Sequence, residues 1–298
     1  MKRFSMMMGS LAVLAGLAVA GSALAQEKVA PLQWQYFQAD ENGFNRTPVL
    51  LTGDKEAILL DGGFTLSDGK AVAEKIKETG KKLTTIYVSQ SDPDYYFSLG
   101  PIKAAFPDAR IIAAPETVEA IKGNIDNKLK VWGPQLKDNG PQKLSDVVIP
   151  EASDVKALEL EGNEIEIVPA EGMKNRRYLW VPSLKAVFGG VLISSGGHVW
   201  LADTPELAQR EAWIRNLDAI AARNPAIVVP AHTAAGSATD VSAIKFTRDY
   251  ITAFDEEAAK AKDSGELIAA MKKRYPDLGG ESSLELGAKV IKGEMKWE

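Results

Sequence analysis

Four polar side chains follow a short apolar run in the first half of the chain, and their types suit metal chemistry. The run covers residues 84–88, and Gln90, Asp92, Asp94 and Tyr95 come just after it. A β-branched run that stops at polar residues is typical of a buried strand ending in a loop at a sheet edge, where functional groups collect. Amide and carboxylate oxygens favour hard cations such as Ca²⁺, Mg²⁺ or Mn²⁺. The loop is therefore the first candidate for a site.

The two aspartates constrain what can lie beside them. Asp92 and Asp94 repel each other unless a cation or a positive side chain lies between them. The sequence Asp92-Pro93-Asp94 also fits a simple turn. His232, one of only two histidines in the chain, could join this loop as a ligand. His232 is equally compatible with a capping or core histidine, because one imidazole without known partners indicates little.

The spacing of this loop resembles the His-x-His-x-Asp-His signature of the metallo-β-lactamase superfamily. The four signature positions fall on Gln90, Asp92, Asp94 and Tyr95, so that only the aspartate is retained. The segment Pro230-Ala231-His232 is similar to the Pro-Gly-His ending of the family. The resemblance implies descent from metal-dependent hydrolases in which this loop supplies the first zinc ligands.

The same resemblance assigns three more positions. Asp61, at the end of an apolar strand, matches an aspartate that supports the metal loop, although a tight turn explains it equally well. The mid-chain ligand falls near Glu171, and the bridging aspartate falls near residues 189–191, where no carboxylate stands. The chain has no cysteine, and His198 and His232 are its only histidines. Because zinc prefers imidazole and thiolate ligands, a tight zinc pair is not expected.

The elements that must position these residues are predicted from periodicity and turn signals. In the first half we expect strands at 33–38, 47–52, 57–61, 83–88 and 109–113, and helices at 67–79, at 99–106 and from 115. In the second half we expect strands at 147–149, 155–160, 164–168, 178–181, 186–193 and 226–229, and helices at 204–223, 241–259, 267–274 and 284–291. Thr204 is the predicted cap of the first of these later helices. This order predicts an α+β fold, the αββα sandwich of two mixed sheets with helices on the outer faces.

The N-terminus has the pattern of an export signal. A basic start is followed by an apolar stretch at 11–20 and a small-residue cleavage site ending at Ala25. We expect residues 1–25 to be removed, so that the mature chain begins at Gln26 and forms one metallo-β-lactamase-fold domain over 26–298. The expected location is periplasmic or secreted, with no membrane span after cleavage.

Charge and cysteine content limit the partners and the sources of stability. The formal net charge is −5, and it becomes about −7 without the two basic residues of the signal. This balance argues against nucleic acid as a partner. An exported chain without cysteine has no disulfide framework, so its stability must come from the core.

These features support three hypotheses. The first is an exported metallo-β-lactamase-fold protein whose zinc site is largely lost and whose cleft has a non-hydrolytic or ligand-binding role, with a small molecule as the ligand in the second case. The alternative is a hydrolase of an ester, lactone or lactam in which one divalent metal, Ca²⁺, Mn²⁺ or Zn²⁺, is held by Asp92, Asp94, Glu171 and His232. Asp94 is then the candidate catalytic residue. The third is a structural or interaction protein in which the cleft has no role.

Overall fold

The computed structural model of the protein describes residues 29–297. The predicted signal peptide, residues 1–25, and its cleavage site lie outside the described residues. The strands are β1 (Gln33–Tyr36), β2 (Val49–Thr52), β3 (Glu56–Leu60), β4 (Lys82–Val88), β5 (Arg110–Ala113), β6 (Glu151–Ala152), β7 (Ala157–Leu160), β8 (Asn163–Pro169), β9 (Arg177–Val181), β10 (Ala186–Phe188), β11 (Ser194–Ser195), β12 (Ile227–Val228) and β13 (His232–Thr233). The α-helices are α1 (Leu66–Glu78), α2 (Leu99–Ala105), α3 (Pro115–Leu136), α4 (Leu207–Ala222), α5 (Val241–Lys260), α6 (Ser264–Arg274) and α7 (Glu281–Ile291).

Two mixed sheets form the centre of the molecule. The first has the order β1-β2-β3-β4-β5-β6, antiparallel from β1 to β3 and parallel from β3 to β6. The second has the order β12-β10-β9-β8-β7, antiparallel except for the parallel pair β10 and β12. A short parallel pair, β11 and β13, brings Ser194 opposite His232. The carboxyl ends of β3 and β4 lie side by side, which places their loops at one sheet edge.

Side-chain alternation along the strands separates three apolar layers. In β2, Val49 and Leu51 face the second sheet, whereas Leu50 packs with the residues of α1, α2 and α3. On the other side, Trp180 and Val187 of the second sheet pack against α4, α5, α6 and α7. This alternation follows from the two-residue period of a strand. The predicted αββα sandwich, with helices on both outer faces, is confirmed.

Some predicted elements differ from those observed. Residues 147–149 pack beside the helix-covered core instead of pairing, and the edge strand β6 follows them after Pro150. Strand β10 ends at Phe188, not at residue 193, because Gly189 and Gly190 both adopt positive φ and turn the chain away. Helix α4 begins at Leu207 with Glu206 as its cap, since Thr204 is used in a local turn.

No helix among residues 29–297 is long and apolar enough to cross a membrane.

Candidate functional site

Asp61, which directly follows β3, holds the start of the loop after β4 through hydrogen bonds. Asp61 Oδ1 accepts a hydrogen bond from Ser89 N at 2.6 Å, and Oδ2 accepts one from Ser89 Oγ at 2.8 Å. Ser89 Oγ in turn accepts from Gly190 N at 2.9 Å. Asp61 has φ of 64°, a left-handed conformation that aspartate tolerates through local hydrogen bonds. Asp61 therefore positions the loop rather than presenting its carboxylate at the surface.

A buried arginine lies between the carboxylates of this site. Arg46 precedes β2 and its side chain is 1% exposed. Its guanidinium lies 3.6 Å from Asp61 Oδ2 and 3.5 Å from Asp94 Oδ2, measured from Nη2 and Nε respectively. Nε donates to Asp94 O at 3.1 Å, Nη1 donates to Ala231 O at 2.7 Å, and the group stacks 3.5 Å from the centroid of the Tyr95 ring. The Arg46 side chain thus supplies positive charge to both Asp61 and Asp94.

The structure brings Asp94 and His232 into contact although they are far apart in sequence. His232 Nε2 lies 3.4 Å from Asp94 Oδ2. His232 Nδ1 lies 2.8 Å from Phe44 O, and because a carbonyl only accepts, Nδ1 carries the proton of the neutral ring. Nε2 then directs a lone pair at the carboxyl group. This contact is favourable when Asp94 is protonated, since a proton can then lie between the two atoms.

A second arginine holds the more exposed aspartate of the loop. Arg176 Nη1 lies 3.4 Å from Asp92 Oδ2, and Arg176 Nη2 lies 3.0 Å from Asp203 Oδ2. Gln90 is buried and donates from Nε2 to the same Asp92 oxygen at 2.9 Å. Trp297 Nε1 donates to Asp203 Oδ1 at 2.9 Å, so the last described residue packs beside this network. Both loop aspartates are therefore paired with guanidinium groups.

The four ligands proposed for a single hard metal do not assemble. Glu171 is exposed, and its backbone N and O are held by the side-chain amide of Asn216. Asp92 and Asp94 are turned toward different arginines. Among residues 29–297 there is no group of three or more His, Asp or Glu that could hold a metal ion. Of the set Asp92, Asp94, Glu171 and His232, the structure brings one pair into contact, Asp94 and His232.

In the turn at the expected bridging position, Gly190 has no room for a side chain. A Cβ added at Gly190 would lie 2.0 Å from Arg177 O, and one at Gly189 would lie 2.8 Å from Leu179 Cδ1. Tyr95, at the last signature position, is fully buried and donates from its hydroxyl to Gly190 O at 2.9 Å. The tyrosine therefore ties the signature loop to this turn. With one imidazole, a buried guanidinium and no carboxylate at residues 189–191, the residues do not fit the zinc pair of the family.

The contact between Asp94 and His232 predicts a pH-dependent stability. Burial raises the pKa of Asp94 to about 7, against the opposing effect of Arg46 and with a smaller contribution from Asp92. Burial also lowers the pKa of His232 to about 3, with Arg46 as the second cause, although 27% of its side chain stays exposed. Since an unfolded aspartate titrates near pH 4, the folded chain holds an extra proton on Asp94 between about pH 4 and pH 7. The stability that Asp94 contributes is complete below this window and is lost as the pH rises through it.

We therefore expect the free energy of unfolding of the wild type, relative to that of Asp94→Asn, to fall as the pH rises from about 4.5 to about 7.5. Urea denaturation at several pH values measures this difference. Asp277→Asn, at an exposed position, is the control. Its free energy of unfolding should differ from that of the wild type by the same amount at every pH. A constant difference for Asp94→Asn as well would contradict the prediction.

Sequence reasoning identified the aspartates and His232 but missed Arg46, Arg176 and Asp203. The repulsion between Asp92 and Asp94 called for a cation or a positive side chain, and the sequence alone does not say which arginine supplies it. Arg46 is 48 residues from Asp94, and Arg176 is 84 residues from Asp92. A search for arginines next to buried strand ends would have included Arg46.

Comparisons with known proteins report on the family and the fold. The sequence profile described as Metallo-beta-lactamase superfamily matches residues 42–232. A metallo-beta-lactamase from Pontibacter korlensis superposes with a TM-score of 0.51 at 15% identity, over 74% of this chain and 95% of that one. The DIM-1 metallo-beta-lactamase gives a TM-score of 0.51 at 16% identity, over 74% and 93% of the two chains. The comparison with curated proteins gives no match.

The structural likeness, at these identities, establishes the fold alone. The profile match adds the family, because it spans more than half of the chain and runs from the turn before Arg46 to His232. It includes the signature loop, the Gly189-Gly190 turn and the Pro230-Ala231-His232 ending. The chain therefore belongs to the metallo-β-lactamase superfamily.

Proposed function

We propose that this member of the metallo-β-lactamase superfamily is an exported protein that binds a small molecule in its cleft, without a metal and without hydrolysing it. One observation carries the proposal: the buried guanidinium of Arg46 contacts both Asp61 and Asp94. It supplies the positive charge at the aspartate that the family uses for metal binding. Export rests on the N-terminal sequence, and the acidic net charge disfavours nucleic acid as the ligand.

The Arg46 guanidinium disfavours a divalent cation at the same carboxylate. Two like unit charges about 4 Å apart repel by about 4 kcal/mol at an effective dielectric constant of about 20, and the double charge of a divalent cation doubles this repulsion. A metal bound to Asp94 would meet this repulsion while having one imidazole partner, His232. In metallo-hydrolases the metal makes hydroxide available at neutral pH. Without it, the cleft lacks the nucleophile on which hydrolysis in this family depends.

The polar groups of the cleft favour a ligand that donates hydrogen bonds. In the described part of the chain, Gln90 Oε1 is buried and has no hydrogen-bond partner, and Asp94 Oδ2 has none apart from the proton that it can share with His232 Nε2. Asp92 remains 26% exposed beside them. Buried acceptors are normally satisfied, and a few convergent polar groups orient a small ligand. A small molecule with N–H or O–H groups therefore matches the cleft.

Metal content tests this proposal directly. We expect gently purified protein to contain zinc far below one atom per chain, because the donor set is poor and Arg46 opposes the charge. We also expect the melting temperature to be unchanged by a chelator and by added calcium, manganese or zinc. A metal that binds only the folded state stabilises it by about 2.7 kcal/mol at a hundredfold excess over its dissociation constant, which a melting curve detects. Elemental analysis and thermal melting provide the two measurements.

Two results would contradict the metal-free function. Near-stoichiometric zinc whose removal lowers the melting temperature would indicate a working zinc site. A rise in melting temperature with manganese or calcium, together with turnover of an ester or lactam that is lost in Asp94→Asn, would favour the single-metal hydrolase. Turnover that is unchanged in Asp94→Asn would indicate a contaminant. The metal measurements would then decide between the metal-free function and the single-metal hydrolase.

A further inference from the structure

The lining of a surface cavity of about 410 Å³ contains none of the signature residues. The cavity opens between the turn around Glu41, the start of α1 and the second half of α3. Its lining combines aromatic rings with carboxylates, and six residues carry the argument: Asp40, Glu41, Phe44, Phe64, Asp68 and Trp132. A concave site with this mixed lining has the dimensions of a small-molecule site.

The apolar wall of the cavity is a packed group of three rings. Phe44 lies 4.6 Å from Phe64, and each is edge-on to Trp132 at 5.4 Å between ring centroids. Phe64 is buried, whereas Phe44 is 37% exposed. The face of an aromatic ring is its negative side and attracts cations. The wall therefore presents aromatic surface to whatever enters the cavity.

The backbone holds Phe44 in this place at a conformational cost. Phe44 has φ of 56° and Asn45 has φ of 52°, a left-handed conformation that is an outlier for a bulky residue. The turn is fixed by the Asp40 carboxylate, which accepts from Asn42 N at 2.9 Å and from Gly43 N at 3.2 Å. On its other side, Phe44 O pairs with His232 Nδ1. Strain that the surroundings enforce in this way is a feature of ligand-binding positions.

The rim of the cavity carries only negative charge. Asp40, Glu41 and Asp68 line it, and neither lysine nor arginine is among its lining residues. Within residues 29–297 none of these three carboxylates forms an ion pair, in contrast to the arginine-paired Asp92 and Asp94. An aromatic wall with unpaired carboxylates is complementary to an organic cation.

We propose that this cavity binds a small organic ammonium ion, with the ring faces of Phe44 and Trp132 against its alkyl groups and the rim carboxylates facing its charge. A hard inorganic cation fits less well, because it requires six to eight oxygen ligands. Asp40 and Asp68 already accept backbone hydrogen bonds as turn and helix caps, and the rings offer no oxygen. Because this cavity contains none of the signature residues, the proposal goes beyond the metal-free function. Binding of an ammonium ion here can be confirmed or refuted whatever the metal measurements show.

Choline and its uncharged isostere 3,3-dimethyl-1-butanol are the probes. An NMR titration follows the indole resonance of Trp132, assigned with Trp132→Phe. We expect choline to bind about threefold to thirtyfold more tightly than the isostere, the range that cation–π contacts supply. High salt should weaken choline binding and leave the isostere unaffected.

Two variants test the two halves of the site. Phe44→Leu removes the ring face and should weaken choline by about threefold to thirtyfold. Glu41→Gln removes one charge at an exposed side chain without a structural hydrogen bond, so folding is preserved, and it should weaken choline by up to about fivefold. Glu119→Gln, an exposed acid elsewhere on α3, is the matched control and should have no effect.

Several outcomes would overturn the assignment. These are equal affinities for choline and its isostere, no choline binding at tens of millimolar, or an unchanged affinity in both variants. Displacement of choline by equimolar calcium would identify an inorganic cation site instead. The choline affinity of Phe44→Leu is interpreted only if the melting temperature of this variant stays near that of the wild type. If it does not, the affinity of Glu41→Gln and the comparison of choline with 3,3-dimethyl-1-butanol decide.

Discussion

Above about pH 7, where Asp94 is ionised, replacing Arg46 with methionine is expected to lower the free energy of unfolding by about 3–5 kcal/mol, because removing the positive member of a buried group of charges leaves two carboxylates uncompensated. Asp61 and Asp94 would lose their shared positive charge in a site where Arg46 is 1% exposed. The carbonyl of Ala231 would lose a donor as well. Urea denaturation measures the change, and the unfolding slope should remain that of the wild type.

The matched control for this variant is Arg248→Met. Arg248 pairs with Asp218 at 2.7 Å, but their side chains are 44% and 53% exposed. Exposed pairs contribute about 0–1 kcal/mol, so the control should stay close to the wild type. Arg46→Lys should recover only part of the loss, since an ammonium group cannot reproduce the planar set of donors that reaches two carbonyls and two carboxylates. Equal stabilities for Arg46→Met and Arg248→Met would remove the basis of the metal-free function.

The same variant separates a structural role of Arg46 from a metal-excluding one. If Arg46 also keeps cations away from Asp94, Arg46→Met should take up more zinc than the wild type at equal free metal concentration. The gain should remain small, because His232 is the one imidazole at the site and Gly190 leaves no space for a bridging side chain. If zinc uptake is unchanged in Arg46→Met, the role of Arg46 is structural and it does not exclude metal.

The fold could be predicted largely because its signal is local. Short apolar runs such as 49–51 predict buried strands, and turn residues mark the ends of these strands. The errors lie where this signal is weak. Residues 147–149 are apolar but pack beside a core instead of pairing, and the run up to residue 193 is interrupted by Gly189 and Gly190, whose positive φ a pattern of apolar residues does not reveal.

The site could be predicted only in part because its chemistry depends on contacts between distant residues. Asp61, Asp94 and His232 were grouped by the resemblance of their segments to the motifs of the family, and the structure places Asp94 against His232. Glu171 was chosen because it lies near the mid-chain ligand position of the family, and the path of its loop is fixed by hydrogen bonds to Asn216. Arg46 lacked any motif, and its role becomes visible only when its distances to the two aspartates are known.

The second large effect is expected at Asp61. Asp61→Ala removes the acceptor of Ser89 N and Ser89 Oγ and one charge partner of Arg46, and buried donors left unsatisfied cost about 1–3 kcal/mol each. We expect a total loss of about 3–5 kcal/mol in the free energy of unfolding. Asp54→Ala, in an exposed turn, is the control and should remain within about 0.5 kcal/mol of the wild type.

Asp61→Asn distinguishes the hydrogen bonds of Asp61 from its charge. Asparagine tolerates the left-handed backbone at this position and keeps one carbonyl oxygen for Ser89 N. Its amide group, however, presents a donor toward the Arg46 guanidinium and no negative charge. We therefore expect Asp61→Asn to lose about 1–3 kcal/mol, less than Asp61→Ala. Equal losses for both variants would assign the whole effect to charge. If Asp61→Asn loses no more free energy of unfolding than the control Asp54→Ala, the charge of Arg46 is compensated by Asp94 alone.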